Sequence, residues 1–146
     1  MDQQGLLAFL RKRRLCVQAS VAGDGGPQAA VVGYAVSDQL ELIFDTLGST
    51  RKAQNLRRDA RIAIVVGWEG EQTLQLEGFA DEPSGDDLRR LKRWYFATFP
   101  DGVERERWPG ISYMRVTPYW ARFSDFGANG SVVEFDERAL QGDCLR

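Results

Sequence analysis

The spacing of hydrophobic positions changes repeatedly along this chain, and each change of period marks an element. Leu6, Leu7 and Leu10 share one helical face within residues 5–14, and the run closes on Arg11-Lys12-Arg13-Arg14, cations that suit a helix C-terminus. The period then falls to two over residues 15–22, and Gly23-Asp24-Gly25-Gly26-Pro27 supplies a turn. Residues 29–36 and 40–44 predict a second hairpin around Ser37-Asp38-Gln39. Ser49 is placed to cap a helix running to residue 59, on a thin apolar face of Ala53, Leu56 and Ala60.

Residues 61–68 read as a buried strand, because Ile62, Ile64 and Val66 alternate with Ala63 and Val65 and leave little polar surface on either face. Trp68-Glu69-Gly70-Glu71-Gln72 turns the chain into a strand over 73–81, and the two pair. Leu88, Leu91, Trp94, Tyr95, Thr98 and Phe99 come close to helical spacing within 86–99, and Pro100-Asp101-Gly102 ends that helix. A long last strand covers 111–124, where Pro118 predicts an edge position or a bulge. Six strands at hairpin spacing with few helices predict a mainly β fold, a small antiparallel barrel with peripheral helices, over residues 1–126. The tail, 127–146, offers one short strand at 131–135 and then a charged end.

With 146 residues, 43% of them hydrophobic, the chain is long enough for one domain with a full core. A formal charge of -2 speaks against a general nucleic-acid binder. No segment approaches the ~20 apolar residues of a membrane span, and the short run at 6–10 precedes its cations, the reverse of a signal peptide. A cytoplasmic protein without a membrane partner is therefore expected. Histidine is absent, which removes His-ligated zinc, His-ligated haem, a Ser-His-Asp triad and a Cys-His dyad. Cys16 falls in a strand and Cys144 in the tail, so neither a disulfide framework nor a metal site is expected.

The chemistry concentrates where a strand meets a helix, at Phe44-Asp45-Thr46-Leu47-Gly48-Ser49-Thr50-Arg51-Lys52-Ala53. A helix start carries partial positive charge and unpaired N–H groups, so two cations in its first turn are electrostatically misplaced unless an anion joins them. Backbone N–H groups, the hydroxyls of Thr46, Ser49 and Thr50, and the cations Arg51 and Lys52 resemble a phosphate cradle. A solvated charged face and simple capping by Thr46 or Ser49 are the competing explanations.

These segments resemble a known family. F-D-T-L-G-S-T-R-K-A with the following N-L, then T-L-Q-L-E-G-F-A-D-E and R-V-T-P-Y-W-A-R-F-S-D, resemble the pyridoxamine 5'-phosphate oxidase-like, FMN-binding split-barrel superfamily over residues 5–126. The resemblance implies a six-stranded, Greek-key-like split barrel that forms a homodimer with two FMN sites at its interface. It implies that Asp45 and Thr46 lie near the isoalloxazine or ribityl chain, with Thr50, Arg51 and Lys52 near the phosphate. Thr73 or Gln75 would approach the ring, and Trp120 or its neighbour Arg122 would border it from the partner subunit. An FMN-dependent oxidoreductase acting on a small molecule follows as the leading expectation.

Two departures direct the substrate away from vitamin B6. The family's oxidases carry an arginine near the position of Gln28, Ala29 or Ala30, and an Arg- and His-containing C-terminal segment; this chain has neither. It resembles the short, general-stress or oxidase-related branch. The alternatives are a reductase using the deazaflavin F420, and a flavin-binding or stress-related protein without turnover. Trp94, Tyr95, Phe96 and Phe99 look like a stacking box, but aromatics at helical spacing more often form core or dimer contacts.

Overall fold

The computed structural model describes residues 1–127 and 130–142, so Cys144 and the last residues of the tail lie outside the described residues. The strands are β1 (Leu15–Val21), β2 (Pro27–Gly33), β3 (Ala35–Val36), β4 (Leu42–Leu47), β5 (Arg61–Val66), β6 (Gln72–Asp81), β7 (Ile111–Asp125) and β8 (Ser131–Phe135). They form one sheet in the order β2-β1-β5-β6-β7-β4-β3, with β8 added on β7, and every pairing is antiparallel. The sheet curls into a half-barrel, as the mainly β expectation required.

The six expected strands become eight among the described residues for two reasons. The stretch 29–36 breaks at Tyr34, whose N–H donates to the Arg14 carbonyl and whose hydroxyl donates to the Leu10 carbonyl at 2.6 Å. The tail strand also forms, pairing with the far end of β7.

Helix α1 (Gln3–Arg11) starts on Asp2, whose side chain accepts from the Gly5 N–H at 2.8 Å. It buries Leu6, Leu7, Phe9 and Leu10 against the inward residues of the sheet, among them Ile62, Ile64, Leu74, Leu76, Met114 and Phe123. Phe135 and Leu140, the latter on α5 (Glu137–Gln141), complete this core. A second, smaller core lies on the other side of β3 and β4, where Leu91 and Tyr95 of α3 (Gly85–Thr98) meet Ala35, Ile43 and Tyr113. The aromatic cluster of α3 is thus packing, as Tyr95 stacks with Phe99 at 5.2 Å and meets Tyr113 edge-on. Glu41, buried at the base of α3, accepts from Arg90 at 2.8 and 3.1 Å and from Arg115 at 3.3 Å.

One sequence expectation changes in the sheet and another is met. β5 is buried on one face only: Ile62, Ile64 and Val66 point inward, while Arg61, Ala63 and Val65 stay exposed. Pro118 sits in β7, an interior strand, and is accommodated by a bulge, since the β6–β7 register shifts between Glu77 and Gly78. Before the bulge Met114, Val116 and Pro118 face inward, and after it Ala121 and Phe123 do. Tyr119 is the inserted residue, and it and Trp120 both face outward.

Candidate functional site

Three residues separate the end of β4 from helix α2 (Arg51–Arg58). Thr50 caps it, with an extended backbone and Oγ1 accepting from the Ala53 N–H at 3.3 Å. Ser49, expected in that role, is displaced because a turn closes between the Leu47 carbonyl and the Thr50 N–H at 3.0 Å, which puts Ser49 outside on an exposed corner. Thr46, buried at the end of β4, places its hydroxyl 3.0 Å from that of Thr50. No acid occupies the first turn. Among the described residues the N–H groups of Arg51 and Lys52 have no acceptor, and neither side chain has a carboxylate partner.

The turn before α2 is braced from behind. Arg57 donates to the Gly48 carbonyl at 2.8 Å and to Ser112 Oγ at 3.2 Å, while its other edge grips Glu82 at 2.7 and 3.1 Å. That pairing holds the Glu82 carboxyl below its usual pKa. The Gly48 N–H donates to the Gly110 carbonyl at 2.7 Å, and a Cβ on Gly48 would come within 3.0 Å of Arg57. The sequence gives no sign of this brace, since Arg57 stands beside Arg58 in a run of cations.

Arg51 is exposed, and its guanidinium lies against the Gln28 amide, which in turn meets Asn55. Asn55 is buried beside Ala53 and Leu56 on the inner face of α2, and its amide contacts Ser20 Oγ at 3.2 Å. A polar residue inside so thin an apolar stripe was the available signal for this connection.

The other expected residues lie elsewhere. Strand alternation turns Asp45 away from Thr46, into the second core, where it accepts from the Tyr95 hydroxyl at 2.7 Å and from Arg105 Nε at 2.8 Å. Burial and the Asp45 contact push the Tyr95 pKa up, and the Asp45 hydrogen bond pushes that of Arg105 up. Thr73, Gln75 and Trp120 share the outer face of the sheet, across from Ser124, Arg122 and Glu77. Trp120 lies under the Arg122 guanidinium at 5.4 Å, so the two residues expected to border the ring stack on each other. Among the described residues no hydrogen bond or ion pair joins this group to the start of α2.

Beside Gln75 the outer face is apolar. Val31, Val17 and Val65 stand in register across β2, β1 and β5, and Ala29, Ala19 and Ala63 form the adjacent row. Val31 and Val65 are 58% and 39% exposed.

A family model for pyridoxamine 5'-phosphate oxidase matches residues 3–125. The pyridoxine/pyridoxamine 5'-phosphate oxidase of Burkholderia vietnamiensis is 28% identical over 107 residues, 73% of this chain and 48% of that protein. The chain therefore spans about half the length of the curated relatives it matches. A heme-binding protein from Mycobacterium smegmatis superposes with a TM-score of 0.80 at 17% identity, covering 92% of this chain and 58% of that one. General stress protein 26 from Bacillus anthracis gives 0.70 at 14% identity, covering 91% and 98%. Identities this low establish shared fold alone. Fold, motif order and the match over 3–125 together place the chain in the pyridoxamine 5'-phosphate oxidase family, whose members bind flavin.

Proposed function

We propose that this chain binds FMN, with the phosphate at the start of α2, and acts as an oxidoreductase on a small molecule within a homodimer. The observation that carries this reading is the α2 entrance: two free N–H groups, two paired hydroxyls and two cations without carboxylate partners among the described residues. That donor set fits a phosphate monoester, which carries nearly two negative charges. Arg51 supplies a planar fork and Lys52 a point charge, while Thr46 and Thr50 supply hydroxyl donors. When bound, the flavin ring carries hydride or single electrons. The chain contributes anchoring, orientation and exclusion of water.

The separation of Thr73, Gln75 and Trp120 from the α2 entrance favours a site completed across a dimer. Dimers are common in this family, and the apolar rows on β2, β1 and β5 give a second copy a surface to cover. Haem, which a structural neighbour binds, suits these residues less well. The chain has no histidine, and the Cys16 thiol is buried, its pKa pushed up to about 12 by burial, so it presents no thiolate.

Titration of the purified protein tests the reading. Bound FMN gives bands near ~370 and ~450 nm, whereas a single band near ~420 nm would assign F420 instead. Arg51→Ala combined with Lys52→Ala is expected to raise the Kd for FMN at least about 100-fold, the scale of two charge-assisted contacts, with an unchanged circular dichroism spectrum. Equal affinity for the double variant and wild type would overturn the phosphate assignment. Reduction of bound flavin by a nicotinamide donor, followed by reoxidation with substrate, separates an enzyme from a flavin carrier.

A further inference from the structure

We infer that Gln28 is a positioning residue for the phosphate site: it holds Arg51 by the face of its guanidinium and leaves the donor edge free for the anion. The inference rests on the FMN-phosphate reading above. One terminal atom of the Gln28 amide lies 2.6 Å from Nη2, 2.8 Å from Nη1 and 3.0 Å from Nε of Arg51. All three nitrogens are donors, so the amide presents its oxygen to them. Near-equal distances to three atoms of one planar group place that oxygen over the plane, so it meets the cation as a dipole against the face of a charge and takes no N–H bond from it. Guanidinium N–H bonds lie in the plane and point outward, so the fork that fits two phosphate oxygens stays open.

The remaining amide atom of Gln28 faces the Asn55 amide at 2.6 Å, and Asn55 meets Ser20 Oγ at 3.2 Å. Ser20 and Gln28 are partners in the β1–β2 ladder, and Asn55 sits one helical turn after Arg51. Ser20, Asn55, Gln28 and Arg51 thus form a continuous polar chain from the hairpin to the first turn of α2. Its energetic role is to order a long side chain before the ligand arrives. An untethered Arg51, exposed as it is, would lose its rotamer freedom on binding and weaken the complex accordingly. The neutrality of Gln28 matters as well, since a carboxylate there would pair with Arg51 and compete with phosphate.

FMN and riboflavin differ only in the phosphate, so their affinities separate the roles. Wild type, Gln28→Ala and Gln28→Glu are titrated with both flavins. Gln28→Ala is expected to weaken FMN binding about 5- to 10-fold, the scale of one lost ordering contact, while riboflavin binding stays unchanged. Gln28→Glu should bring the two flavins closer still. In an Arg51→Ala background, Gln28→Ala should produce no further loss, because Gln28 acts through Arg51. Gln28 is half-buried on an edge strand, so both variants are expected to melt near the wild-type temperature. An FMN-to-riboflavin ratio in Gln28→Ala equal to that of wild type would overturn the inference, as would a parallel loss of both flavins. Wild type binding the two flavins alike would overturn the phosphate reading itself, and this inference with it.

Discussion

Gly78→Ala should destabilise the protein more than its single methyl group suggests. Gly78 lies in β6 opposite Pro118, where the register shifts, and a Cβ there would stand 2.5 Å from the Thr117 carbonyl oxygen and 3.0 Å from both Thr117 C and Pro118 Cα. All three are backbone atoms of an interior strand, so no side chain can swing aside. Relief requires β7 to move by several tenths of an ångström, and β7 is tied to β4 and β8 as well as to β6. Overpacking of this kind costs about 1–3 kcal/mol, and the rigidity of these neighbours puts Gly78→Ala at the upper end. At about 2–4 °C per kcal/mol for a chain of this size, the melting temperature should fall by roughly 6–12 °C. Gln75→Ala, exposed on the same strand, is the control and should stay within about 0.5 kcal/mol of wild type. The assay is thermal unfolding followed by circular dichroism. A Gly78→Ala melting temperature within about 2 °C of wild type would refute the argument that the bulge packs backbone on backbone.

Three further outcomes are expected. Thr50→Ala should cost about 1 kcal/mol in denaturant unfolding and Ser49→Ala less than about 0.5, because only Thr50 caps α2; the reverse order would remove the cap assignment. Glu41→Gln should cost about 1–3 kcal/mol at neutral pH. Burial pushes the Glu41 pKa up, but hydrogen bonds from Arg90 and Ser37 and the charges of Arg90 and Arg115 together bring it below the ordinary carboxylate value. Its contribution is therefore complete above about pH 4.3 and lost as pH falls through the lower folded value, so the gap between wild type and Glu41→Gln should narrow in acid; a constant gap from pH 7 to pH 3 would contradict this. Val65→Glu should convert a dimer to a monomer in light scattering at micromolar concentration, and a monomeric wild type would dismiss the proposed contact.

Much of the fold was legible because alternation is a local property. The β5–β6 hairpin and the long β7 follow from runs whose inward residues, Ile62, Ile64, Val66, Leu74 and Leu76, are large and regularly spaced. The same rule misjudged the outer face of β5, since Ala63 and Val65 are as apolar as core residues and only the sheet's curl shows that no described residue covers them. The break at Tyr34 depends on hydrogen bonds to Arg14 and Leu10, which no local pattern encodes. At the site, the cations and hydroxyls were visible as neighbours in sequence, whereas what holds them was not. Arg57 reaches Glu82 and Ser112, and Arg51 reaches Gln28 on another strand, so these contacts exist only once the sheet has closed.

Strand β4 passes between the two cores, and consecutive residues on it serve both. Asp45 is gripped by Tyr95 of α3 and Arg105 of α4 (Gly102–Arg105), while Thr46 turns its hydroxyl to Thr50 at the α2 entrance. A single peptide plane therefore joins the contacts of the outer helices to those of the anion cradle. The outer helices and the anion cradle are thus fastened to neighbouring residues of one strand, with no residue of the barrel interior between them.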